Sequence, residues 1–137
     1  MLDAIDSSFK VLAKGAPATQ EQIDTAVNYF GSVPQEFIDL AREATELEFQ
    51  HRNGQYVRIW GPLGCIDMDE GYGIRQRIPD AIPIGDDGGG HVLIFAHGKQ
   101  GCGLYHVGYG NLDLDDAIWI ADSLSSFLFS AKGIETF

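Results

Sequence analysis

The run Gly85-Asp86-Asp87-Gly88-Gly89-Gly90 sets two carboxylates among four glycines. Glycine lets backbone amides approach an anion closely, which is how phosphate loops work. This run has neither the lysine nor the hydroxyl of such a loop, and its two aspartates would repel phosphate. It reads as a tight turn that needs unusual backbone angles, or as an acidic rim facing a basic partner. Asp67-Met68-Asp69-Glu70-Gly71 has the carboxylate density of a calcium loop but not its sixth-position glycine or its distant bidentate glutamate, so it reads as a solvated acidic loop. Asp86 or Asp87 opposite Asp69 or Glu70 would make a pair for acid-base work only at a separation that sequence does not supply. His97, Cys102 and His106 would converge on a metal only if Gly98 to Gly101 forms a hairpin, and zinc sites use tighter paired spacings. Cys65 and Cys102 stand far apart without a CxxC, and no serine sits in a G-x-S-x-G elbow. No catalytic residue, metal or cofactor is assigned. Cys65 and Cys102 read as free thiols of a reducing compartment, with a single disulfide between them as the alternative.

Charge is more informative than any one motif. The chain has 137 residues, 20 acidic against 9 basic side chains, and a formal charge of −11. Such a surface repels phosphate backbones and anionic membranes, which excludes nucleic acid and lipid as direct ligands. Between Asp67 and Asp122 there are ten acidic and three basic residues. If their loops share one side, the field speeds docking of a basic protein; a generally acidic soluble surface would look the same in sequence. Asp3 and Asp6 stand where a secretory signal carries Lys or Arg, so the expectation is an untargeted, cytoplasmic protein.

The elements that must position these groups follow from periodicity. Leu2, Ile5, Phe9 and Leu12 have near-helical spacing before Gly15-Ala16-Pro17. Thr19 with Gln22 makes a capping box for a helix that carries Ile23, Ala26, Val27 and Phe30 and stops at Gly31. Pro34 opens another with Phe37, Ile38, Ala41 and Ala44. The period then drops to two on either side of Asn53-Gly54, a hairpin signal. Gly61 to Ile78 reads as a short strand near Cys65-Ile66 followed by an irregular segment. Ala81 to Ile84, His91 to Ala96 and Gly103 to Tyr109 read as strands. Asp113 then caps a terminal helix with Ala117, Ile120, Ala121, Leu124, Phe127 and Leu128 on one face. On that helix Trp119 would sit opposite, beside Asp115, Asp122 and Ser126. There it is either covered by the N-terminal segment or a loop, or exposed as an aromatic anchor.

The segment Ile78 to Gly90, IPDAIPIGDDGGG, followed by His91-Val92-Leu93-Ile94-Phe95, resembles the signature of the SUKH superfamily. Val33-Pro34-Gln35-Glu36-Phe37, Asn53-Gly54 and the IADSLSSFL of Ile120 to Leu128 fit in the same order. The resemblance runs from about Thr19 to Leu128. Residues 1–18 lie outside it as an extension, and His91 stands where an acidic residue is more typical. It implies a binding module: bacterial members typically neutralise secreted toxins, often nucleases, by direct contact, and fungal members act as signalling scaffolds.

The expectation is one α+β domain over residues 1–137, with a family-like core over 19–128. It has N-terminal helices, a mainly antiparallel sheet of five to six strands and a C-terminal helix packed on the sheet. Its expected function is non-catalytic protein binding, as an immunity protein against a basic, nuclease-type toxin. A scaffold is the alternative, and a small-ligand protein or enzyme using the acidic loops ranks below both. The partner-binding residues are expected among Asp67, Asp69, Glu70, Asp86, Asp87 and Trp119.

Overall fold

In the computed structural model, which describes all 137 residues, seven strands form one sheet whose spatial order is the chain order. Every neighbouring pair is antiparallel. Two pairs of helices are excursions between consecutive strands and one more helix follows the last strand, which makes the fold α+β as expected. There are seven strands rather than five or six because two segments read as helical are strands at the sheet's edges.

The first is β1 (Phe9–Ala13), preceded by a 3-10 turn at Leu2–Ala4. Leu2, Ile5, Phe9 and Leu12 do not share a buried face: Phe9 is buried, Leu2 and Ile5 are half-buried, and Leu12 is exposed. The Asp6 carboxylate accepts from the Ser8 amide at 2.9 Å and its hydroxyl at 2.6 Å, closing a local turn that launches an extended chain. Phe9 then drops onto the rings of His51, Phe127 and Phe49, at 5.1, 5.7 and 6.0 Å between centroids. The N-terminal amino group is anchored to Glu43 at 3.0 Å.

The next elements match their signals. In α1 (Gln20–Phe30) the Gln22 amide donates to the Thr19 hydroxyl and the Gln22 side chain accepts from the Thr19 amide. Helix α2 (Gln35–Glu43) follows directly after Pro34 and buries Phe37, Leu40 and Ala41, with Ala44 buried just beyond its end. Strands β2 (Leu47–His51) and β3 (Tyr56–Ile59) form the hairpin around Asn53-Gly54.

The segment read as a strand and irregular chain is helical: α3 (Pro62–Tyr72) and α4 (Ile74–Arg77). Pro62 occupies the first turn, where its missing N–H costs nothing, and Gly73 takes the left-handed angles that separate the two helices. Gly64 and Gly71 hide this helix from a propensity reading. Gly64 is close-packed: a Cβ there would stand 3.2 Å from the Trp60 side chain and 2.8 Å from the Glu46 carboxylate.

Strands β4 (Ile82–Asp86), β5 (His91–Gly98) and β6 (Gly101–Gly108) lie where they were read. The expected long terminal helix is instead a 3-10 turn at Leu114–Asp116, strand β7 (Ile118–Ala121) and a shorter helix, α5 (Leu124–Ser130). Asp113 caps only the turn, through the Asp115 amide, whereas Ser123 caps α5 through the Ser126 amide. The apolar residues of 117–128 suit a helix locally, but β6 has an open edge, and Ile118 to Ala121 pair with it. The register puts Phe49, Ile59, Leu93, Leu104 and His106 on one sheet face. Phe127 of α5 meets that face through Phe9, and Phe137 through His106.

Because Phe9 belongs to the core, Phe9→Ala should lower unfolding free energy by about 3 kcal/mol. Urea denaturation followed by circular dichroism measures it, and a loss under about 0.5 kcal/mol would mean that the N-terminal segment is dispensable.

Candidate functional site

The Gly85 to Gly90 run is the turn between β4 and β5, and both of its aspartates are employed inside the fold. Asp86 is 5% exposed and accepts from the Trp60 indole N–H at 2.8 Å and from the Gly88 amide at 2.8 Å. The Arg58 guanidinium pairs with it at 3.3 Å. Asp87 accepts from the amides of Gly89 (2.9 Å) and His91 (3.2 Å), and its other oxygen lies 3.1 Å from His91 Nδ1. Glycine is required at two of these positions. A Cβ on Gly85 would stand 2.1 Å from the Arg58 carbonyl oxygen, and one on Gly88, whose φ is +76°, would stand 2.5 Å from the Tyr56 ring.

Asp67, Asp69 and Glu70 lie on α3 and not on a loop. Asp69 is 6% exposed, accepting from the Tyr29 hydroxyl at 2.6 Å and from the Arg75 amide at 2.8 Å. That carboxylate ties α1 to the α3–α4 junction and, by this bond, pushes the Tyr29 hydroxyl up to about 12. Arg75 completes the junction, with its guanidinium 5.3 Å over the Phe30 ring. Asp67 and Glu70 are exposed. The two acidic segments thus serve separate hydrogen-bond networks, and the buried members of the set hold structure.

Trp119 is on β7, opposite Tyr105, with the two rings edge to face at 5.3 Å. Its indole lies over Gly103, where a Cβ would stand 2.6 Å away. The polar helix face expected for it does not exist, and the indole is half-buried. His97 and Cys102 pair across the β5–β6 hairpin, both exposed. His106 lies four residues further along β6, about 13 Å for an extended chain, and is buried. Its Nε2 lies 3.1 Å from the Thr136 carbonyl oxygen, its ring stacks on Phe137 at 4.6 Å, and Nδ1 has no partner. Burial holds its pKa below the usual histidine value. Cys65 is buried, which pushes its thiol well up, and neither cysteine is in a disulfide.

The feature that sequence reading missed is a cleft of about 450 Å³ at the end of the sheet where three connections meet. The turn between α1 and α2 brings Val33 and Pro34, β4 and β5 bring Ile82 and Phe95, and these half-buried side chains give it an apolar lining. Around them stand Glu36, Asp80 and Asp122. Glu36 is partly satisfied, because its carboxylate accepts from the amides of Leu124 and, at 3.2 Å, Ser125 at the start of α5. Asp80 and Asp122 are exposed and belong to none of the ion pairs of the protein. No lysine or arginine lines the cleft. The lining residues span 32 to 123 in sequence, so no local motif could have announced it.

A family model described as the SMI1 / KNR4 family (SUKH-1) matches residues 17–130. No curated protein matches the chain. The matched region begins after β1.

Two outcomes follow from these networks. Asp86→Asn removes the charge shared by Arg58 and Trp60 and should cost about 2 kcal/mol of stability, read from the urea midpoint. His106 is held neutral on folding, whereas the unfolded chain protonates it near pH 6.5. Between these two values the unfolded state binds more protons, so this group's contribution to stability is complete above about pH 6.5 and declines as pH falls. In His106→Phe the urea midpoint should therefore drop less between pH 7 and pH 5 than in the parent; equal drops would show that His106 carries none of the acid sensitivity.

Proposed function

The chain belongs to the SMI1 / KNR4 family (SUKH-1), and from that premise we propose that it is a non-catalytic protein-binding module acting as an immunity protein, which neutralises a cognate toxin by direct contact. The match over residues 17–130 carries this reading, since it takes in almost all of the folded domain. The chemistry of the chain agrees with it. Three of the four carboxylates that sequence singles out for acid-base work are occupied as structural acceptors, with Asp69 bonded to Tyr29 and Arg75, Asp86 to Trp60 and Gly88, and Asp87 to Gly89 and His91, while Glu70 is exposed.

The net charge of −11 favours a basic partner. A negative field accelerates encounter with a basic surface and repels an acidic one. An enzyme that acts on nucleic acid carries such a basic surface to hold phosphates. Covering that face would block its substrate and use the same attraction. Asp67 and Glu70 contribute to the field from the exposed side of α3, whereas Asp69 and Asp86 support the surface from within.

The test is capture of the native complex from the source cells, followed by assay of the captured partner with and without this chain. The expected partner is a toxic enzyme whose activity disappears at one equivalent, and whose association slows several-fold between low and physiological salt. A partner that keeps full activity in the complex would instead make the chain a scaffold and overturn the immunity reading.

A further inference from the structure

We infer that the cleft between the α1–α2 turn, the β5–β6 hairpin and the start of α5 is the anchor pocket for the partner protein, and that it takes an arginine side chain from it. This rests on the protein-binding reading above and adds the place and the chemistry of contact. The volume, about 450 Å³, lies within the range of sites that enclose a small group, and the walls combine apolar surface with a few convergent polar groups. Val33, Pro34, Ile82 and Phe95 remain half-buried there with nothing over them, whereas the comparable apolar residues of β5, Val92, Leu93 and Ile94, are fully covered.

The charge decides between occupants. An apolar side chain would fill the floor but leave Asp80 and Asp122 beside it without a counter-charge, and an acidic one would be repelled. A second copy of this chain carries the same strong negative charge, which opposes its approach. The Asp122 carboxylate is held low first by the Ser126 side chain and then also by Lys132, and His97 lines the same cleft, but neither Lys132 nor His97 forms an ion pair with Asp80 or Asp122. The rim is therefore open to a cation from outside. Arginine matches both parts of the lining: its planar guanidinium is weakly hydrated and lies flat on an aromatic ring such as Phe95, while its N–H fork donates to carboxylates at the rim. Lysine, a compact and strongly hydrated charge, uses the rim alone. The Glu36 carboxylate at the back of the cleft adds to the negative potential while it holds the α5 terminus in place.

The test titrates the full, nitrogen-15-labelled chain with capped Gly-Arg-Gly, Gly-Lys-Gly and Gly-Glu-Gly peptides at low salt, following amide shifts. The expected result is saturable binding of the arginine peptide in the millimolar range, with shifts concentrated at Val33, Phe95, Ala96 and Ser123. The lysine peptide should bind several-fold more weakly and the glutamate peptide not at all. Asp80→Asn with Asp122→Asn should weaken the arginine peptide at least fivefold, whereas Asp67→Asn with Glu70→Gln, on α3, should change it less than twofold. All four side chains are exposed, so urea midpoints should match the parent. Shifts spread evenly over the acidic surface, or equal weakening by both double variants, would overturn the pocket. The captured partner separates the two proposals. If it binds the Asp80/Asp122 variant with unchanged affinity, the pocket is wrong and the immunity reading survives; if it is no toxin, that reading falls while the peptide titration still decides the pocket.

Discussion

The sheet depends on a seam only two residue pairs long. Strands β3 and β4 meet through Arg58 opposite Asp86 and Ile59 opposite Gly85, and these pairs join the β1–β2–β3 unit to the β4–β7 unit. The approach is so close that any side chain at position 85 would collide with the Arg58 carbonyl. So short a ladder needs support from outside it. The Trp60 amide donates to the Ile84 carbonyl at 2.8 Å, and the Asp86 carboxylate joins the Trp60 indole, the Arg58 guanidinium and the Gly88 amide. Helices α3 and α4 are the chain that leaves one side of this seam and returns to the other, so the same contacts place them.

That arrangement explains why carboxylates in a strongly acidic chain do not behave as one class. Asp6, Asp69, Asp86, Asp87 and Glu36 each accept two or more hydrogen bonds, mostly from backbone amides left over at turns and helix ends. A carboxylate held by such donors keeps its charge and makes an irregular connection rigid. Asp67, Glu70, Asp80 and Asp122 are exposed, and two of these stand over the cleft. A surface supported in this way is preorganised, and under the proposed binding role that limits the entropy lost on association.

The sheet edges show where reading by period fails. Leu2, Ile5, Phe9 and Leu12, and later Ala117, Ile120 and Ala121, have spacings that a helix would accept. Both stretches are short, and each lies against a strand with unpaired N–H and C=O groups. Pairing satisfies those groups along the whole segment, and for Phe9 it adds three aromatic contacts. The opposite error occurs at α3, where Gly64 and Gly71 lower the local helix propensity and contacts to Trp60 and α1 outweigh it.

What the sequence determined by itself was local or summed over the whole chain. The capping box at Thr19 and Gln22, the Asn53-Gly54 hairpin and strands β4 to β6 are each dictated within a few residues, and charge needs only counting. The segment from Ile78 to Phe95 together with Ile120 to Leu128 carried enough of a pattern to identify the family, and two of the glycines in it, Gly85 and Gly88, answer steric demands that other residues do not meet. Tertiary structure alone decided the strand count, which carboxylates are buried and where the cleft lies. These depend on free sheet edges, on donors such as the Tyr29 hydroxyl forty residues from Asp69, and on a meeting of chain segments from position 32 to position 123. Contacts at such separations form only once the loops between them have closed, so a window of a few residues carries no trace of them.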